Sequence, residues 1–123
     1  ATSKGLSPSA REGLLWPYDS WENRIATLRF VEDIPLEPSH PSYETLLGIE
    51  EGLSAFEDAP MLICWGDQDF CFTPSFRSEW ERRFPKAEVH AWQDVGHYVM
   101  EDAPERVEQH LSAFIGDLPD FAV

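Results

Sequence analysis

The chain has 123 residues, is 42% hydrophobic and 13% aromatic, and carries a formal net charge of −14 at pH 7. This is the composition of a globular domain able to bury a core, which excludes a disordered chain. The acidic balance excludes the clustered Lys and Arg that nucleic acid or an anionic membrane surface requires, and no apolar run approaches the roughly 18 residues of a membrane span.

The first residues, Ala1-Thr2-Ser3-Lys4-Gly5, contain neither Met nor a hydrophobic stretch, so the chain is expected to have no signal peptide and to be cut from something longer. Ser7-Pro8 reads as an N-cap followed by Pro at the first helical position, opening a helix through about Leu15 that Trp16-Pro17-Tyr18 ends. Asp19 or Ser20 then caps a helix over 21–31, with Trp21, Ile25 and Leu28 at helical spacing. Pro35 and Pro38 stop it. Ser42 caps a third helix over 43–56, with Leu46, Ile49, Leu53 and Phe56 on one face.

The pattern then changes. Pro60-Met61-Leu62-Ile63-Cys64-Trp65 is a short continuous apolar run closed by Gly66, as in a parallel strand buried on both faces. Thr73-Pro74 opens a helix to Phe84, with Phe76, Trp80 and Phe84 inward. Residues 87–92 are a second strand, and Asp102, with Pro104 in the first turn, opens a last helix whose face is Val107, Leu111 and Phe114. Strand, helix, strand, helix implies an α/β fold with parallel strands and covering helices. The preceding residues are helical, so the expected organisation is a segment over 1–56 and an α/β part over 57–123.

In such a sheet, functional groups sit in loops beyond the carboxyl ends of strands. Two such loops exist, Gly66-Asp67-Gln68-Asp69 and Asp94-Val95-Gly96-His97. If the strands are neighbours, Asp69 and His97 meet at one rim. A carboxylate beside an imidazole fixes its tautomer and stabilises the imidazolium, which makes an orienter and a general base awaiting a nucleophile. Turn chemistry accounts equally for Asp67. His40, His90 and His110 read as structural. Cys64 and Cys71 form neither CxxC nor zinc spacing, so no metal site is expected; Cys64 reads as a buried free thiol, and a reducing, cytoplasmic setting fits.

These pieces together resemble the C-terminal part of the α/β-hydrolase fold: residues 60–69, Phe84-Pro85, Gly96-His97-Tyr98, Glu101-Asp102-Ala103-Pro104-Glu105 and the helix ending Leu111-Ser112-Ala113-Phe114-Ile115. The resemblance implies that Asp69 is the catalytic acid and His97 the base, with Asp67 the rival for the acid; Asp69 is preferred because the family places the acid just before apolar residues and Pro, here Phe70 to Pro74. The first half is similar to the lid of haloalkane-dehalogenase-like hydrolases, a group that includes the β-lactone decarboxylases of olefin biosynthesis. Residues 17–26, Arg29-Phe30-Val31 and Asp33-Ile34-Pro35-Leu36 carry that likeness. It implies a lid shaping an apolar pocket.

The family's nucleophile stands in a G-x-D-x-G or G-x-S-x-G elbow upstream of the lid, and neither pentapeptide occurs here. The resemblance therefore implies a fragment of an enzyme acting on a small apolar substrate, a haloalkane, an epoxide or a β-lactone, through an upstream Asp and without metal or organic cofactor. An upstream Ser, giving an esterase or C–C hydrolase, is the alternative. A non-catalytic chain that binds a partner is another. The expected partners are the missing N-terminal half of the fold or a second copy.

Overall fold

The computed structural model describes residues 1–118. The backbone separates into two compact units: Leu6–Ala55, and Ala1–Gly5 together with the chain from Phe56 onward. Residues 1–5 thus belong with the strand-bearing unit.

The helical unit contains α1 (Pro8–Leu15), α2 (Ile25–Glu32) and α3 (Tyr43–Gly52). Ser7 caps α1 as the sequence implies, its hydroxyl accepting from Ala10 N at 3.1 Å with Pro8 next in line. Two of the expected helices are shorter than the apolar periodicity suggests. Glu22–Arg24 is a 3₁₀ turn ahead of α2, and Leu53–Phe56 is another after α3. Ser20 Oγ accepts from Asn23 N at 3.2 Å and satisfies the entry to the first of these turns. None of the three helices holds a fully buried residue. The stripe Trp21, Ile25 and Leu28 is exposed. In α3 the half-buried side chains are Tyr43 and Leu47, whereas Leu46, Ile49 and Phe56 face outward.

The strand-bearing unit is built on β1 (Leu62–Gly66) and β2 (Glu88–Trp92), joined by α4 (Pro74–Arg83). The strands pair in parallel from Leu62↔Glu88 to Gly66↔Trp92. A crossover helix between parallel neighbours is the α/β arrangement expected from the alternation of patterns. Val99–Asp102 forms a short helix, α5, followed by α6 (Pro104–Asp117). The core is small: Ile63, Phe84, Val95 and Ala103 are the buried apolar residues. Leu62, Cys64 and Trp65 are only half-buried, so β1 is not enclosed on both faces among the described residues. Cys64 is correspondingly a half-buried free thiol. On α4, Trp80 stacks on buried Phe84 at 5.7 Å, but Phe76 points outward.

The tightest junction in this unit is between the end of β1 and the loop after β2. A Cβ on Gly66 would lie 2.6 Å from the carbonyl oxygen of Val95, and nearer still to that of Gly96. Only glycine lets these backbones approach so closely. Gly116, on α6, has open space around its Cα. Gly66→Ala is therefore expected to cost at least about 2 kcal/mol or to abolish folding, whereas Gly116→Ala gains roughly 0.5–1 kcal/mol from helix propensity. Denaturant melts of the two variants check this; equal effects at the two positions would contradict the packing described.

Candidate active site

The parallel register ends both strands at the same rim, so the loops that follow emerge side by side. Backbone bonds continue the pairing past the strands: Asp67 N donates to Trp92 O and Gln68 N to Val95 O, each at 2.9 Å. The Gln68 amide adds a bond to Gln93 O at 2.8 Å. The two loops are laced together before any catalytic group is placed.

At this rim Asp69 and His97 meet, with Asp69 Oδ2 2.9 Å from His97 Nδ1. The other carboxylate oxygen, Oδ1, accepts from the backbone N–H groups of Cys71 and Phe72 at 2.8 and 2.9 Å. Asp69 is buried, and burial works against its ionisation; the bonds from His97, Phe72 and Cys71 outweigh this and hold its pKa below the ordinary carboxylate value. An ionised carboxylate only accepts, so the proton shared with His97 sits on Nδ1. That leaves Nε2 with a free lone pair, the arrangement of a general base. The rings of Phe70, Phe72 and Tyr98 lie 5.5–5.7 Å from the imidazole, centre to centre, and all three are exposed. The base therefore stands in an apolar, aromatic surround.

Asp67, the rival carboxylate, is turned elsewhere. Its Oδ1 faces Arg77 Nε at 3.3 Å, an ion pair without hydrogen-bond alignment. Arg77 also binds Glu81 one turn along α4. This ties the acid loop to α4 and gives Asp67 a role in holding the loop.

The base loop is held by a residue that sequence reasoning misplaced. Asp102 was expected to open the last helix; instead Ala103 stands at the start of α6 and Asp102 is buried. Its carboxylate accepts from Gly96 N at 2.8 Å, Ser3 N at 2.7 Å and Lys4 N at 3.2 Å. Gly96 immediately precedes His97, so Asp102 fixes the backbone from which the base projects. Tyr98 N, on the other side of His97, donates to Ala1 O at 3.1 Å. No local motif announces this role, because the donors lie 6, 98 and 99 residues away. Of the other histidines, His40 accepts from Ser42 N within the helical unit, and His90 and His110 stack on each other between β2 and α6.

No family model matches the chain. It is 43% identical over 117 residues to a cis-3-alkyl-4-alkyloxetan-2-one decarboxylase of Shewanella oneidensis, covering 95% of this chain and 37% of that protein. It is 39% identical over 113 residues to the decarboxylase of the same name from Xanthomonas campestris pv. campestris, covering 92% of this chain and 38% of that protein. Epoxide hydrolase 3 of Mus musculus is 25% identical over 120 residues, covering 93% of this chain and 28% of that protein. The chain thus spans less than two-fifths of the length of the relatives it matches. These relatives are enzymes of the α/β-hydrolase type.

Asp102 offers a test of how the base loop is held. Burial opposes its charge, but the N–H bonds from Ser3, Gly96 and Lys4 prevail and lower its pKa. A lowered folded-state pKa contributes stability above the unfolded value, about 3.9, and loses it as pH falls through the folded value. Asp102→Asn is expected to cost about 1–3 kcal/mol at pH 7, and the gap from the parent chain should narrow between pH 5 and pH 3. Urea melts across that range check it; a gap unchanged at pH 3 contradicts the assignment.

Proposed function

We propose that this chain carries the acid and base of a lid-bearing α/β-hydrolase of the haloalkane-dehalogenase-like group, whose nucleophile is an Asp outside these 123 residues. Its substrate is a small, mostly apolar molecule with a strained oxygen ring. The observation that carries the reading is the 2.9 Å bond between Asp69 and His97 at the joined ends of two parallel strands. The substrate class is supported by the names of the relatives, which specify an oxetan-2-one, a four-membered lactone, for the two decarboxylases and an epoxide for the hydrolase. The higher identity to the decarboxylases favours the β-lactone. The aromatic surround of His97 suits alkyl substituents.

In this mechanism the upstream carboxylate attacks the saturated carbon of the ring C–O bond. That bond breaks, and its electron pair leaves with the ring oxygen, as a carboxylate from a lactone or as an alkoxide that solvent protonates from an epoxide. An alkyl ester forms on the enzyme. His97 Nε2 takes the proton of the water that cleaves this ester. Asp69 keeps Nδ1 protonated and stabilises the imidazolium while it lasts. The helical unit, residues 6–55, supplies the lid segment and the strand-bearing unit the C-terminal part of the core. The chemistry needs neither metal nor organic cofactor. β1 has one strand neighbour among the described residues, and its free edge suits a strand from the missing half of the sheet or from a second copy of the chain.

The chain alone is expected to show no turnover of a cis-3,4-dialkyl β-lactone, because an acid–base pair without its nucleophile does little chemistry. Joined to an upstream segment bearing the nucleophile, it should turn the lactone over. There His97→Ala should lower kcat by roughly 10³-fold or more. Turnover by the isolated chain that disappears in His97→Ala, or near-normal kcat in the joined His97→Ala enzyme, would overturn the proposal.

A further inference from the structure

Away from Asp69 and His97, β2 and α6 bring three more ligand-bearing side chains together. Glu88 and His90 stand two apart on β2, so they project from the same side of the strand. His110 comes from the covered stripe of α6, with half-buried Val107 and Phe114 as neighbours. The imidazoles of His90 and His110 stack with centroids 3.4 Å apart and 24° between planes. His90 Nε2 lies 2.6 Å from Glu88 Oε1. One ligand atom from each of the three residues falls within 4.8 Å of the others.

Two imidazoles and a carboxylate are a donor set suited to borderline divalent ions, Zn²⁺ in particular. A tetrahedral ion with ligands at 2.0–2.1 Å keeps its donors about 3.3 Å apart, a gap that side-chain rotation can close here because Glu88 is exposed. The nearby cation does not oppose this. Arg106 lies over the Trp92 ring at 5.3 Å but is engaged by both carboxylate oxygens of Asp94. The alternative is a plain stack of two rings with an ion pair to Glu88, and that arrangement has no use for a metal.

We propose that Glu88, His90 and His110 form a binding site for a divalent transition-metal ion, represented by Zn²⁺, that clamps α6 onto β2. The imidazoles bind in their neutral form, and the ion displaces the proton between His90 and Glu88. No sequence spacing marks the site, because its ligands come from a strand and from a helix some twenty residues further on.

The test is calorimetric titration of ZnCl₂ into the full chain after chelator treatment, with thermal melting alongside. The expected result is one saturable site and a rise in Tm on adding Zn²⁺. His90→Ala and His110→Ala should each weaken binding roughly tenfold or more and abolish the rise in Tm, whereas His40→Ala should change neither. Should the histidine variants fail to fold, Glu88→Gln at its exposed position should still weaken binding. The absence of saturable heat, or binding that survives both His110→Ala and Glu88→Gln, overturns the proposal.

Discussion

The parallel register of β1 and β2 is the constraint on which the candidate site depends. Gly66 pairs with Trp92, so both strands stop at one level and both loops leave from one rim. The bonds from Asp67 N and Gln68 N carry the pairing on into those loops. A one-residue slip of β1 would turn Asp69 away and reverse the faces of that strand. Gly66 guards the register, since any side chain there would meet the backbone of Val95 and Gly96.

Much of this was legible in the sequence, and for identifiable reasons. A continuous apolar run ending in Gly and a Thr-Pro helix start are local signals, and they located β1 and α4 to within a residue or two. The alternation of strand and helix implied parallel neighbours. Parallel neighbours implied that Asp69 and His97 could meet, and the structure brings them together. The misplacements have a common cause. Asp102 looks like a cap because it precedes Pro104, yet two of its three backbone donors, Ser3 and Lys4, come from the far end of the chain. Apolar periodicity also overstated burial: Trp21, Phe56 and Phe76 keep helical spacing but stay exposed. Spacing records which residues share a face, and not whether anything covers that face.

This exposure has an energetic consequence. Short helices gain most of their stability from burying an apolar face, and α1, α2 and α3 hold no fully buried residue. Exposed Trp16, Trp21, Phe30 and Leu36 are the kind of surface that another element normally covers. The strand-bearing unit is better supplied, with a compact core around Val95 and a buried carboxylate that gathers residues 3, 4 and 96. The described half of the proposed catalytic machinery is thus held by the more firmly packed half of the chain.

The central claim is that Asp69 holds His97 as the Nδ1–H tautomer, leaving Nε2 as the base. Nitrogen-detected NMR of the ¹⁵N-histidine-labelled chain at neutral pH reads this directly. The account predicts that His97 carries its proton on Nδ1, with a downfield Nδ1–H resonance that disappears in Asp69→Asn. A His97 protonated on Nε2, or a resonance indifferent to Asp69→Asn, would contradict it.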